Sequence, residues 1–211
     1  MSGKLITFEG PEGSGKSTQI RLLAEKLGAR GIDVSVTREP GGTATGEAIR
    51  NILQHDAVNE PLSMRAELLL FAASRAQLVE QVIQPTLDRG EWVLCDRFID
   101  STMAYQGFAR GMNIAALDRI NEFAIGGRTP DLTILLDLDI EQGFERVRCR
   151  YAEAGGAADR FECEARDFHH RVREGYHQLA AREPERFRIV DAASCIENVA
   201  DDIWNHVQVM L

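Results

Sequence analysis

The sequence predicts a three-layer α/β domain, a five-stranded parallel sheet with helices on both faces. Three observations carry this. Strand-like and helix-patterned segments alternate along the chain, which implies parallel pairing through helical crossovers. Residues 132–138 (LTILLDL) are almost wholly apolar, as expected of a strand covered on both faces. A glycine-rich loop joins the first strand-like segment to the first helix-like one, and ligands of such folds bind outside the carboxyl ends of the strands. The chain has 211 residues, 44% hydrophobic and 27% charged. That is enough apolar material for one core, and a single domain over 1–211 is expected. No repeat, linker or low-complexity tract interrupts it.

The elements follow in order. Residues 5–9 (LITFE) form a short strand. From Lys16 a helix follows, with Ile20, Leu23, Ala24 and Leu27 at helical spacing, ended by Gly28 and Gly31. Residues 32–37 read as a strand, broken by Pro40, Gly41 and Gly42. A short helix is expected over 45–53. Ser63 is placed to cap a long helix running to about Gln84, where Pro85 stops it. Residues 92–96 (WVLCD) are a strand. Residues 113–125 are helical, closed by Gly126 and Gly127. After the strand at 132–138, Asp139 and Gln142 resemble a capping box for the next helix. That helix runs into a small, glycine-containing segment at 151–158. Residues 164–181 are helical, 187–191 are the fifth strand, and 196–210 form a closing helix with Ile203, Trp204 and Val207 on its buried side.

Lys and Arg number 24 and Asp and Glu 33, a net charge of −9, with an isoelectric point near 5.1. A chain this acidic is not built to coat a nucleic-acid polymer or an anionic membrane. Any anion must be held by a local, aimed site. No apolar run approaches the roughly 20 residues of a membrane span. The first residues carry no signal-peptide pattern and no Gly at position 2 for acylation. The cysteines (95, 149, 163 and 195) are scattered without a C-x-x-C pair, so reduced thiols in a cytoplasmic protein are expected.

One motif decides the chemistry. Gly10-Pro11-Glu12-Gly13-Ser14-Gly15-Lys16-Ser17 matches G-x-x-x-x-G-K-[ST]. It lies directly after a strand and directly before a helix, as a phosphate cradle requires. Gly10, Gly13, Ser14 and Gly15 would bring backbone N–H groups onto phosphate oxygens, with Thr18 in the first helical turn. Lys16 would reach the β and γ phosphates and Ser17 would ligate Mg2+. A P-loop nucleotide-binding fold with ATP as ligand is therefore expected. Asp96 and Asp137 both end apolar runs and are candidates for a carboxylate near the metal. Asp96, followed at once by Arg97, is preferred.

Arginines supply the rest. Arg38 and Arg97 end the second and third strands on the edge of the phosphate loop and could clamp a second phosphate. Phe71 and Arg75 share a helix face at i, i+4 and could stack on and hydrogen-bond a base, or be a core ring beside a snorkelling arginine. Arg146, Arg148, Arg150 and Arg160 bracket the glycine-containing segment. A mobile lid at about 148–162 carrying such arginines would exclude water and neutralise transition-state charge.

In this order, FEGPEGSGKST (8–18), TREPGGT (37–43), LLLFAASRAQ (68–77), DRFIDSTMAYQG (96–107), PDLTILLDL (130–138) and DRFE (159–162) resemble the bacterial thymidylate kinase family. The resemblance implies a nucleoside monophosphate kinase-like fold and phosphoryl transfer from ATP to dTMP. It implies that Phe71 stacks on thymine and Arg75 bonds its exocyclic oxygen. Arg38 and Arg97 would hold the dTMP phosphate. Ser101, Thr102 and Gln106 would surround the base, and Tyr105 would lie beneath the deoxyribose, unless it is a core tyrosine. Glu12 would reach the sugar 3′-hydroxyl or organise metal and acceptor. Some members carry a catalytic arginine beside that acid. Here the neighbour is Gly13, so the resemblance moves the arginine to the lid, to Arg150 first and Arg160 second, with Arg146 on the nucleotide. It also implies a homodimer. The rival readings are a kinase for another nucleotide or nucleoside, a slowly hydrolysing switch, and a binding module without turnover.

Overall fold

The computed structural model describes residues 3–54, 61–154 and 159–211. Of the expected lid, residues 155–158 lie outside the described ones. The sheet contains β1 (Leu5–Glu9), β2 (Val34–Arg38), β3 (Trp92–Asp96), β4 (Leu132–Asp137) and β5 (Phe187–Asp191), all parallel, in the order β2-β3-β1-β4-β5. β1 is central and buried along its whole length, so Leu5, Ile6 and Phe8 are apolar and its two polar side chains, Thr7 and Glu9, are hydrogen-bonded. The register sets Arg38 beside Asp96 and Asp137 beside Asp191, so the carboxyl ends of the strands lie level and form one edge.

Alternate residues of each strand feed opposite layers. On one face Ile6, Phe8 and Ile134 pack under α1 (Lys16–Gly28) and α9 (Ile196–Val207), through Ile20, Leu23, Leu27, Ile203, Trp204 and Val207. On the other, Leu135 and Phe187 meet Val172, Tyr176 and Leu179 of α8 (Arg166–Arg182). There too Leu5 and Val93 meet Leu78 of α3 (Met64–Leu78) and Ile125 of α6 (Ile114–Ile125). The remaining helices are α2 (Ala44–Gln54), α4 (Gln84–Asp88), α5 (Ile99–Thr102) and α7 (Ile140–Ala154). Ser63 caps α3 by accepting from the Ala66 N–H, and Asn113 caps α6 through Ala116.

The structure departs from the sequence reading at three places, two of them corrections and one an element the sequence left unassigned. Pro85 does not stop the long helix. A wide π turn at Val79–Ile83, in which the Gln84 N–H reaches back to the Val79 carbonyl, places Pro85 in the first turn of α4. There a missing N–H costs little. Second, residues after β3 coil at once into α5 and a further π turn, Met103–Ala109, with no 3.6-residue pattern to announce them. Third, Asp139 accepts from the Glu141 N–H, but no reciprocal Gln142 bond completes a capping box among the described residues.

α7 lies unusually close to the phosphate loop. Gly13 sits at φ 73, and a Cβ there would run into the Gly143 carbonyl. A Cβ on Gly143 would run into the Glu12 carbonyl. Two glycines, one on each side, let backbone meet backbone and bring the arginines of α7 to the loop. Gly143→Ala should gain about 1 kcal/mol of helix propensity but lose about 1–3 kcal/mol to overpacking. We expect a lower melting temperature and a lower kcat. A raised melting temperature would show that this close approach constrains nothing.

Candidate active site

The strand ends, the phosphate loop and α7 enclose a cavity of about 730 Å3. Its floor is the loop itself. Gly15 caps α1 at φ 89 without any side-chain hydrogen bond, so the first N–H groups of α1 have no side-chain acceptor at the cap and are available to an anion. Lys16 is folded back. Its Nζ donates to the Gly10 carbonyl (3.1 Å), the Pro11 carbonyl (3.0 Å) and Ser14 Oγ (3.3 Å). Burial, and then the nearby Arg97 charge, lower its pKa to about 8 against the pull of Glu12. An arriving phosphate would offer Nζ stronger acceptors than carbonyls.

At the loop lies a half-buried ion pair. Arg97 follows β3 at φ 66, left-handed backbone rare for a non-glycine residue. Its N–H bonds to the Phe8 carbonyl. Its Nη2 donates to Glu12 Oε1 at 2.5 Å, and its Nη1 to the Gly10 carbonyl, Ser101 and Tyr176. Tyr105 OH donates to the same Glu12 oxygen at 3.0 Å. Burial alone would raise the Glu12 pKa, but Arg97 and Lys16 outweigh it and hold it near 2.

Ser17 Oγ donates to Asp96 Oδ2 at 3.0 Å. Asp137, the other metal candidate, is engaged elsewhere, by Arg173 (2.7 and 2.8 Å) and His177 (3.2 Å). Among the described residues no group of three or more His, Cys, Asp or Glu could hold a metal. A hydroxyl beside a single carboxylate still suits Mg2+, which keeps several waters and takes its other ligands from phosphates.

Every other expected site residue but two lines this cavity: Gly13, Ser14, Gly15 and Thr18, Arg38 and Arg97, Phe71 and Arg75, Ser101, Thr102, Tyr105 and Gln106, and Arg146 and Arg150. Gly10 lies just behind the wall at φ 141. Arg160 turns away. Its Nε donates to the Leu53 carbonyl at 2.9 Å and its Nη2 lies 2.7 Å from Glu67 Oε2. Arg146 donates to the Ala192 carbonyl, and Arg150 pairs with Glu162 at 3.0 Å. Glu162 also holds Tyr151, while Asp159 Oδ1 takes the Phe161 and Glu162 N–H groups, so DRFE folds into a tight turn against α7.

Arg75 is no snorkelling side chain: it is 1% exposed. Its guanidinium donates to Glu39 (2.6, 2.9 and 3.2 Å), Asn121 (2.7 Å), Thr102 (2.8 Å) and the Phe98 carbonyl. Arg38, exposed at the cavity, donates to both oxygens of Glu47 (2.9 and 3.0 Å).

Sequence reasoning passed over several residues here. Arg50, in α2, adds a third cation beside Arg38. Phe161 packs on Phe71 and Tyr105, with ring centroids 5.7 and 6.1 Å apart. Glu9, at the end of β1, is fully buried. It accepts from the Phe98 and Ser101 N–H groups, Ser101 Oγ (2.6 Å) and Tyr176 OH (2.9 Å), and so ties β1 to the first turn of α5. An acid closing an apolar run was the only available signal.

Burial, then Asp100, pushes the Glu9 pKa up to about 7. A raised carboxyl stabilises the fold below its unfolded pKa, and that contribution fades as pH rises through the folded one. Between about pH 4.5 and 7 the native protein should therefore lose stability relative to Glu9→Gln. Melting curves across that window test it, and parallel profiles for the two proteins would contradict the assignment.

The family model described as thymidylate kinase matches residues 8–203. The chain is 50% identical over 211 residues to a thymidylate kinase of Pelotomaculum thermopropionicum, covering 100% of this chain and 95% of that one. It is 53% identical over 196 residues to that of Desulfovibrio desulfuricans, covering 92% and 90%. The crystal structure of thymidylate kinase from Ehrlichia chaffeensis superposes with a TM-score of 0.79 at 35% identity, covering 99% of both chains. The chain belongs to the thymidylate kinase family.

Proposed function

We propose that the cavity transfers the γ-phosphoryl group of ATP to the phosphate of dTMP, giving dTDP and ADP. The observation that carries this reading is a single cavity joining a phosphate loop to two strand-end arginines and a ring-and-guanidinium pair. A switch or binding module needs the first feature only.

The acceptor phosphate is already largely an anion near neutral pH, its second pKa being about 6, so no general base is required. Arg97 and Arg38 hold that phosphate, and Phe71 stacks on the base while Arg75 donates to it. Lys16 leaves its carbonyl partners for the β and γ phosphates. Arg150, with Arg146 beside it, brings positive charge to the moving group from α7. Ser17 and Asp96 would hold Mg2+, which when bound neutralises charge on the β and γ oxygens. Arg160, turned onto Glu67, fits a fastening role for the 159–162 turn better than contact with phosphate. Glu12 holds Arg97 and the Tyr105 hydroxyl on the sugar side, where a 2′-hydroxyl would meet the tyrosine.

The same reading includes a cytoplasmic, homodimeric enzyme. Four unpaired cysteines support a reducing compartment, and no helix of the described residues is long and apolar enough to cross a membrane. Apolar Leu69 on α3 and Phe123 on α6, exposed on helices that pack together, support self-association.

ADP release should be measured with ATP, Mg2+ and dTMP, dUMP, dCMP, dGMP, AMP or thymidine in turn. Strong turnover with dTMP and weak turnover with dUMP is expected; activity confined to another acceptor would displace the thymine assignment. Arg150→Ala should lower kcat by about 10³ or more, the usual worth of such an arginine. Unchanged kcat would move the role to Arg146. Arg97→Ala should raise the dTMP KM and lower kcat, and an effect on the ATP KM alone would misplace the clamp.

A further inference from the structure

We infer that Glu67 determines base specificity by fixing which end of the Gln106 amide faces the acceptor pocket. The inference rests on the thymine-nucleotide reading of the cavity.

Glu67 lies on α3, one turn before Phe71, and is 1% exposed. Its Oε1 accepts from Gln106 Nε2 at 2.9 Å and Arg110 Nε at 2.7 Å. Its Oε2 accepts from Arg110 Nη2 at 3.1 Å and lies 2.7 Å from Arg160 Nη2. A guanidinium can only donate, so both carboxylate oxygens are committed as acceptors. The orientation of the Gln106 amide then follows from chemistry. Turned over, its carbonyl oxygen would oppose a carboxylate oxygen, with both residues 1% exposed and poorly screened. One Nε2 hydrogen is spent inward on Glu67, which turns the amide nitrogen to that side. Oε1 takes no donor among the described residues, and it is the end left for the cavity that Gln106 lines.

Arg75 is polarised in the same manner. Asn121 takes one Nη1 hydrogen, while Glu39, Thr102 and the Phe98 carbonyl occupy Nε and Nη2. One Nη1 hydrogen remains. The pocket thus offers an acceptor from Gln106 and a donor from Arg75. Thymine and uracil present the matching pair, an N3–H donor beside the O4 acceptor. Cytosine presents the reverse, an N3 acceptor beside an amino donor. A buried, polarised pair of this kind rejects the reversed edge because both groups would be left opposed as well as unpaired. Glu67 need not touch the base. It is a positioning residue, and Arg110 and Arg160 are the cations that hold its oxygens as acceptors.

The test compares kcat/KM for dTMP and dCMP, at saturating ATP and Mg2+, in the native enzyme and Glu67→Gln. The new amide has one acceptor, which the two guanidiniums claim, and one donor group. That donor group invites the Gln106 carbonyl inward and turns Nε2 to the base. The dTMP-to-dCMP ratio should fall at least about tenfold, the worth of one hydrogen bond reversed. A merely structural role would lower both values in step, tracked by the melting temperature and the ATP KM, and leave the ratio unmoved. An unmoved ratio in a variant that still turns over dTMP overturns the inference. A native enzyme inactive on dTMP would overturn the functional reading and the inference with it. Should Glu67→Gln fail to fold, Glu67→Asp keeps the charge for the guanidiniums but withdraws from Gln106. There too the ratio should fall, and an unchanged ratio overturns the inference.

Discussion

The salt bridge between Arg97 and Glu12 ties together the two halves of the site. Arg97 leaves β3 in left-handed backbone, and Glu12 stands inside the phosphate loop. Burial penalises each charge taken alone, yet each holds the other ionised: Glu12 far below the usual carboxylate range, Arg97 well above the usual guanidinium value. The pair is 15% and 23% exposed, so screening by water is weak and loss of either partner would strand a charge. Through it the phosphate loop is joined to the strand-end arginine proposed to clamp the acceptor. The same guanidinium reaches Gly10, Ser101 and Tyr176.

The pattern repeats around the cavity. Arg75 is held by Glu39, Arg38 by Glu47, Arg150 by Glu162, and Arg110 and Arg160 by Glu67. An acidic protein thus sets a carboxylate beside several of the cations of its cavity, while Lys16 and Arg146 rest on backbone carbonyls. Net negative charge and a doubly anionic substrate are thereby compatible, because the field that matters is local. Preset donors need less reorganisation when the phosphates arrive.

Much of this was legible in the sequence. Alternating elements gave the parallel sheet, and the loop motif placed Lys16 and Ser17. Arg38, Asp96 and Arg97 could be placed because strand ends converge on one edge of such a sheet. The obscure parts share a cause. The π turns at 79–83 and 103–109 follow no helical or strand period, so Pro85 looked like a terminator and the segment carrying Tyr105 and Gln106 had no element. Glu9 read as the polar end of a strand, because its partners Phe98, Ser101 and Tyr176 come from distant sequence. Arg75 was visible as a candidate, but its burial depends on Glu39 and Asn121, 36 and 46 residues away. Arg160 sat in the right motif, yet its direction is set by Glu67 and Leu53.

The central claim is that Arg97 clamps the acceptor because Glu12 holds it there. A double-mutant cycle on dTMP binding tests this most directly, comparing Kd for the native protein, Arg97→Ala, Glu12→Gln and the double variant. If the two residues act as one unit, the losses are strongly non-additive, and the double variant binds dTMP little worse than Arg97→Ala alone. Losses that add would mean that the two residues contact the nucleotide independently, and the account would fail at its centre.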